Sequence, residues 1–135
     1  MAGTIMAGRV AIHRRTAWLL VGDLVVIALF VGLGELRHGG AVIDWTVTAS
    51  EFALAWLVVG IPLGAYGPSA LQSARRSAGR TLLIWAVAAP VGVAIRSLLE
   101  PLATFSFVFL AVMLGTGLVF LLPWRVLVAP RFLPE

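Results

Sequence analysis

In the stretch "TAWLLVGDLVVIALFVGLGELR", residues 16–37, Asp23 is the one charged residue of an apolar run that extends to Gly34 and is followed by the charged residues Glu35 and Arg37. An α-helix rises 1.5 Å per residue, so about 20 apolar residues cross a bilayer core of about 30 Å. The stretch therefore predicts a first membrane-spanning helix over about 16–36.

The rest of the chain has the same character. Of its 135 residues, 61% are hydrophobic and 12% charged, and the mean hydropathy is +1.03. A soluble domain has about 25% charged residues, and one of this size cannot bury so much apolar surface. Further spans are predicted at about 50–66, 81–99 and 101–122. We expect an all-α, polytopic membrane protein, a bundle of four transmembrane helices at 16–125 between cytoplasmic tails at 1–15 and 126–135.

The arginines predict the orientation of the bundle. Eight of the ten lie on one side of the predicted spans: Arg9, Arg14, Arg15, Arg75, Arg76, Arg80, Arg125 and Arg131. Only Arg37 and Arg96 lie on the other. Positive residues favour the cytoplasmic side, so both termini are predicted to be cytoplasmic in the cell membrane. Four of these side chains are expected to contact lipid headgroups: Arg14, Arg15, Arg75 and Arg76. Trp124 falls near a predicted interface, as membrane tryptophans do.

Asp23 is the predicted intramembrane polar site. A carboxylate within a span costs about 2.5–3.5 kcal/mol on insertion scales, so Asp23 should face protein. It shares a helical face with Leu19 and Ile27. Candidate partners at the same depth are Tyr66, Arg80 and Arg125. Two interpretations remain open: a buried structural hydrogen bond or ion pair, and a site for an ion, proton or substrate.

A second polar group is predicted at the outer end of the bundle. Its candidate members are Glu35, Arg37, His38, Glu51, Arg96 and Glu100. Charged residues commonly flank spans, so these residues have an ordinary explanation as helix exits. They also form a candidate ion-pair cluster, because the facing ends of four helices are neighbours. The spacing of Arg96 and Glu100 places both on one helix face.

Several kinds of chemistry find no support in the sequence. There is no cysteine, and two histidines are too few for a histidine-based metal cage in one chain. We expect neither a metal nor a cofactor. The basic balance does not indicate a nucleic-acid partner, because the arginines lie in short segments between apolar runs.

Short motifs resemble an uncharacterised prokaryotic membrane family, domain of unknown function 3054. The resemblance runs from about Asp23 to Arg125 and rests on these stretches: Asp23, "LRHG" at 36–39, "GAY" at 64–66, the segment from Trp85 to Arg96, and "WR" at 124–125. It implies a four-helix integral membrane protein and implies no activity.

Three functions remain open on the sequence alone. The first is a structural, accessory or lipid-interacting role in a membrane assembly, with an unidentified membrane-protein partner. The second is a small oligomeric transporter or channel that uses Asp23. The third, a lesser alternative, is a lipid-active enzyme using His38 with Glu35. Small residues four apart, such as Ala111 and Gly115, favour close helix packing, so we expect a homo-oligomer in contact with membrane lipids.

Overall fold

The computed structural model describes residues 5–7, 10–12, 14–37, 42–67, 73–100 and 106–132. A short antiparallel hairpin, β1 (Ile5–Ala7) with β2 (Val10–Ile12), comes before the helices. Four long helices follow: α1 (Arg14–Arg37), α2 (Val42–Gly60), α3 (Ala74–Leu99) and α4 (Phe107–Pro123). A π-helical segment, Trp124–Val128, and a short α5, Ala129–Phe132, continue from α4. The predicted all-α class is confirmed.

Three segments of the described chain are long and apolar enough to cross a membrane: Arg14–Gly34, Ala74–Leu99 and Phe107–Arg131. They correspond to the first, third and fourth predicted spans. The second span, at about 50–66, remains a prediction, and the helix that overlaps it has different bounds. α2 covers Val42–Gly60, so it begins and ends earlier than the predicted span.

A tight turn over residues 61–67 explains why α2 ends at Gly60. Pro62 has no N–H to continue the helical ladder and disfavours helical geometry at the residue before it. Gly64 then adopts a φ of 87°, which is accessible to glycine at little cost. The backbone N–H of Ala65 donates to the carbonyl of Gly60 at 2.8 Å and closes the turn. Tyr66 therefore lies in the turn that follows α2 and not within that helix.

Side-chain caps fix the starts of the last two long helices. The Ser73 hydroxyl accepts from the Arg76 N–H at 3.2 Å, and the Ser106 hydroxyl accepts from the Phe109 N–H at 3.2 Å. Serine is a favoured N-cap because it satisfies an N–H that has no partner within the helix. α3 consequently begins at Ala74, before the predicted start at about 81.

The four helices contact one another in a ring, α1 with α2, α2 with α3, α3 with α4 and α4 with α1. Successive helices run in opposite directions. Hydrogen bonds at one end join the first half of α1, the turn after α2, the start of α3 and the segment after α4. The start of α1 and the end of α4 therefore lie at the same end, here called the Asp23 end. The opposite end is called the Arg96 end.

Aromatic rings fill the centre of the bundle. Trp85 contacts Phe30 edge-on with ring centroids 5.6 Å apart, and it also packs against Phe52 and Trp56. Its indole N–H donates to the carbonyl of Met113 at 3.0 Å, so its polar atom is satisfied in the core. Gly117 leaves the space that this ring occupies, because a Cβ there would overlap the indole. At the interface of α3 with α4, the Trp85 ring thus packs directly against Gly117.

Candidate functional site

Asp23 occupies the buried face of α1. Leu19, Asp23 and Ile27 lie on that face, and the exposed fraction of Asp23 is 0%. The opposite face of the helix is exposed and apolar, with Trp18, Val21, Val25, Leu29 and Leu33. The expectation that Asp23 faces protein is therefore met. Its carboxylate is directed at the end of α4 and the turn that follows α2.

Arg125 forms a two-point ion pair with this carboxylate. Its Nε donates to Asp23 Oδ1 at 3.0 Å and its Nη2 donates to Oδ2 at 2.5 Å. The guanidinium is as enclosed as its partner, since 1% of Arg125 is exposed. A planar guanidinium matches a carboxylate in this arrangement, and such paired, charge-assisted hydrogen bonds are among the strongest in proteins.

Two aromatic side chains complete the coordination of the carboxylate. The Tyr66 hydroxyl donates to Oδ2 at 2.6 Å, and the Trp124 indole N–H donates to Oδ1 at 2.9 Å. Trp56 in turn donates its indole N–H to the Tyr66 hydroxyl at 2.8 Å, which directs the tyrosine proton towards Asp23. Each carboxylate oxygen thus accepts two hydrogen bonds. The carboxylate is therefore fully hydrogen-bonded by protein groups although it is enclosed.

The third nitrogen of the Arg125 guanidinium also donates a hydrogen bond. Its Nη1 donates to the carbonyl of Ala65 at 3.1 Å, which ties the arginine to the turn after α2. The guanidinium lies 5.2 Å from the Trp56 ring centroid and 5.4 Å from that of Tyr66, within cation–π range. The backbone carbonyl of Arg125 accepts from the Ser77 hydroxyl at 3.1 Å. The site therefore joins all four helices.

The π-helical segment begins at the two residues that bind Asp23. Pro123 precedes it, and proline cannot donate to the regular α-helical ladder. The ladder then widens, with the N–H of Ala129 donating to the carbonyl of Trp124. Single π-helical turns of this kind are frequent at functional sites. Here the widened turn lies where Trp124 and Arg125, adjacent in sequence, both reach one carboxylate.

Of the four residues proposed for this site, the structure joins Asp23, Tyr66 and Arg125. Arg80, the fourth candidate, lies beside these three residues. Its Nη1 donates to the carbonyl of Gly64 at 3.2 Å, so it binds the turn that carries Tyr66 and is not among the donors to Asp23. Sequence reasoning missed the hydrogen bonds of Trp124 and Trp56. The tryptophan beside Arg125 was interpreted only as an interface residue.

At the Arg96 end, part of the predicted ion-pair cluster is present. Arg96 Nε lies 3.2 Å from Glu100 Oε2, and Arg96 Nη1 donates to the Thr48 hydroxyl at 2.6 Å. The guanidinium also lies 5.1 Å from the Phe109 ring centroid. Three members of the predicted cluster fall outside the described side chains: Glu35, Arg37 and His38. Their contact with this end remains a prediction.

Glu51 departs from its expected position. The sequence places it at the start of the second span, whereas α2 begins at Val42 and Glu51 lies in the middle of that helix. Its exposed fraction is 3%, and neither carboxylate oxygen has a hydrogen-bond partner among the described residues. Arg96 is nearby and attracts it, but the hydrogen bonds of Arg96 go to other groups.

Three segments of the described chain are long and apolar enough to cross a bilayer, which is typical of a helical membrane protein, and an enclosed ion pair lies at one end of their bundle. The chain belongs to the family described as "Protein of unknown function (DUF3054)", whose model matches residues 20–128. No curated protein and no solved structure matches the chain. Three of the motifs that carry the resemblance meet in space, because Asp23, the "GAY" segment and the "WR" pair form the Asp23 site.

Proposed function

We propose that the protein is a structural or accessory component of the cell membrane, a four-span bundle that holds its shape through the Asp23 site. The observation that carries this proposal is that Asp23 is fully enclosed while its two oxygens accept four hydrogen bonds. A group that exchanges ions or protons with water needs access to water and a vacant coordination position. The geometry of Asp23 favours a structural role, in which its hydrogen bonds and ion pair hold helices together, over a role in transport.

The arginines at the Asp23 end support a lipid-interacting role. Arg14, Arg75 and Arg76 are exposed at the starts of α1 and α3, and Arg131 is exposed near the end of the chain. Basic groups at the cytoplasmic surface gain about 1 kcal/mol each from anionic lipids. We infer that this end faces the cytoplasmic leaflet, with both termini inside and α2 as the fourth span. The apolar outer faces would contact lipid or a second copy of the chain.

The test compares wild type and Asp23→Asn in two measurements on reconstituted protein. Asp23→Asn leaves Arg125 without its counter-ion, so the proposal expects a large loss of thermal stability. It expects no flux of protons or alkali ions through wild-type liposomes above that of protein-free liposomes. A pH-dependent flux in wild type that Asp23→Asn abolishes, with stability unchanged, would instead establish transport by Asp23.

A separate measurement tests the lipid interaction. Wild type and the triple variant Arg14→Gln, Arg75→Gln and Arg76→Gln are compared in nanodiscs of zwitterionic lipid with and without phosphatidylglycerol. Anionic lipid should raise the melting temperature of wild type and not that of the variant. The zwitterionic discs provide the control for a general loss of folding. Equal stabilisation of both proteins would refute headgroup contact by these arginines.

A further inference from the structure

Glu51 is a second buried acid, and it differs from Asp23 in its hydrogen bonding. Asp23 accepts four hydrogen bonds from three side chains. Glu51 is 3% exposed, yet neither of its oxygens has a hydrogen-bond partner in the described part of the chain. An ionised carboxylate buried without a partner is strongly disfavoured, and such a group takes up a proton or another positive charge instead.

Among the described residues, Arg96 is the cation that acts on Glu51, and it already has other partners. Arg96 lies in an ion pair with Glu100, donates to Thr48 and stacks over Phe109. The charge of Arg96 attracts the Glu51 carboxylate, whereas the charge of Glu100 repels that carboxylate. Ionised Glu51 and Glu100 with one arginine leave the group with one excess negative charge. A single monovalent cation would neutralise it.

Most other charged groups of the described chain lie at the opposite end of the bundle. They are Arg14, Arg15 and Asp23 on α1, Arg75, Arg76 and Arg80 on α3, and Arg125 and Arg131 after α4. Asp44 is exposed at the start of α2. The side chains of Glu35 and Arg37 lie outside the described residues. Among the groups that the structure describes, Arg96 and Glu100 therefore dominate the electrostatic environment of Glu51.

We propose that Glu51 is a binding site for one small monovalent cation, a proton or an alkali ion, with Glu100 as the neighbouring carboxylate. A proton needs no additional room, because it becomes part of the carboxyl group. A sodium ion would need the oxygens of both acids to approach it. The site lies at the Arg96 end, separate from the Asp23 site, and does not depend on the proposed structural role of Asp23.

The first test measures the unfolding equilibrium of wild type and Glu51→Gln against pH in the same mixed micelles. Glutamine imitates the neutral acid in shape. If folded wild type holds a proton that the unfolded chain releases, this proton stabilises the folded state. Its contribution to the free energy of unfolding is complete at low pH and is lost as pH rises. The unfolding constant of wild type should then rise about tenfold more per pH unit than that of Glu51→Gln over the affected range.

A second arm distinguishes the two cations. At a fixed alkaline pH, sodium chloride is compared with choline chloride at equal ionic strength. A gain in stability with sodium that is absent from Glu51→Gln identifies an alkali ion as the ligand. A pH effect without a sodium effect identifies the proton. Either result supports a cation site at Glu51.

Two further measurements keep the proposal testable should Glu51→Gln fail to fold. Glu100→Gln removes the neighbouring negative charge, so the pH midpoint of the wild-type effect should move down by about one unit. Infrared spectra of wild type should show the band of a protonated carboxyl group at neutral pH if the ligand is a proton. The proposal is overturned if wild type and Glu51→Gln respond equally to pH and to sodium. For an unfoldable variant, it is overturned if wild type shows neither the protonated band nor a sodium effect.

Discussion

Arg125 holds both carboxylate oxygens of Asp23 although 102 residues separate the two in the chain. This pair connects the first helix to the segment that follows the last. Because both side chains are enclosed, the contribution of each to the stability of the fold depends on the presence of the other. The consequences can be tested with variants at the pair and at the residues that surround it.

The first prediction concerns the pair itself. Arg125→Met should destabilise the bundle by about 3–5 kcal/mol, since it leaves an uncompensated buried carboxylate. The double variant Asp23→Leu with Arg125→Met should lose less than the sum of the two single variants, because neither charge is then left alone. Chemical unfolding in micelles gives the four free energies of this cycle. Additive losses would show that the two side chains act independently.

Tyr66 provides the second prediction. Tyr66→Phe removes the hydroxyl that donates to Asp23 and accepts from Trp56, so both partners lose a hydrogen bond in a buried site. The expected loss in unfolding free energy is about 1–3 kcal/mol. Leu98→Ala, at a side chain that is 83% exposed, serves as the control and should change little. Equal stability of Tyr66→Phe and wild type would mean that water replaces the hydroxyl.

The third prediction tests the fit of Trp124 against α1. A Cβ at Gly22 would overlap the Trp124 ring, whereas one at Gly115 would meet nothing within 4 Å. Gly22→Ala should therefore displace the indole from Asp23 and cost about 1–3 kcal/mol, as overpacking does. Gly115→Ala should be neutral within about 0.5 kcal/mol. Chemical unfolding of wild type and of the two alanine variants in the same micelles measures these costs. Similar stability of the two alanine variants would contradict this fit.

Membrane orientation is the fourth prediction. The chain has no cysteine, so single cysteines can be introduced without background labelling. An impermeant thiol reagent added outside intact cells should label Ala41→Cys and should reach Ala74→Cys only after lysis. This follows from the excess of arginine on one side of the spans. Labelling of Ala74→Cys in intact cells would reverse the proposed topology.

The sequence predicted the helical class and most of the Asp23 site for physical reasons that apply to any bilayer protein. A carboxylate within an apolar span needs a partner, and the candidates at the right depth were few. Tyr66 and Arg125 were among them. Arg80 does not donate to Asp23, because it binds the carbonyl of Gly64 in the turn after α2. That turn depends on a positive φ at Gly64, which periodicity does not reveal.

The bounds of α2 differ from those of the predicted second span, which remains a prediction. Asp44 and Glu51 made the segment around residues 44–51 resemble the polar end of a span, because charged residues usually flank spans. The helix instead begins at Val42 and buries Glu51. Trp124 was misjudged for a related reason. An indole near a membrane interface has an ordinary explanation, and only the folded structure shows its N–H directed at Asp23.

The connection between Asp23 and Arg125 also sets an order of events during biosynthesis. The ribosome adds roughly 5–20 residues per second, so Arg125 is made roughly 5–20 seconds after Asp23, given the 102 residues between them. Until then the first helix carries a carboxylate whose counter-ion does not yet exist, and an unpaired carboxylate within the bilayer costs about 2.5–3.5 kcal/mol. Nascent chains that stop before residue 125 would retain that exposed charge.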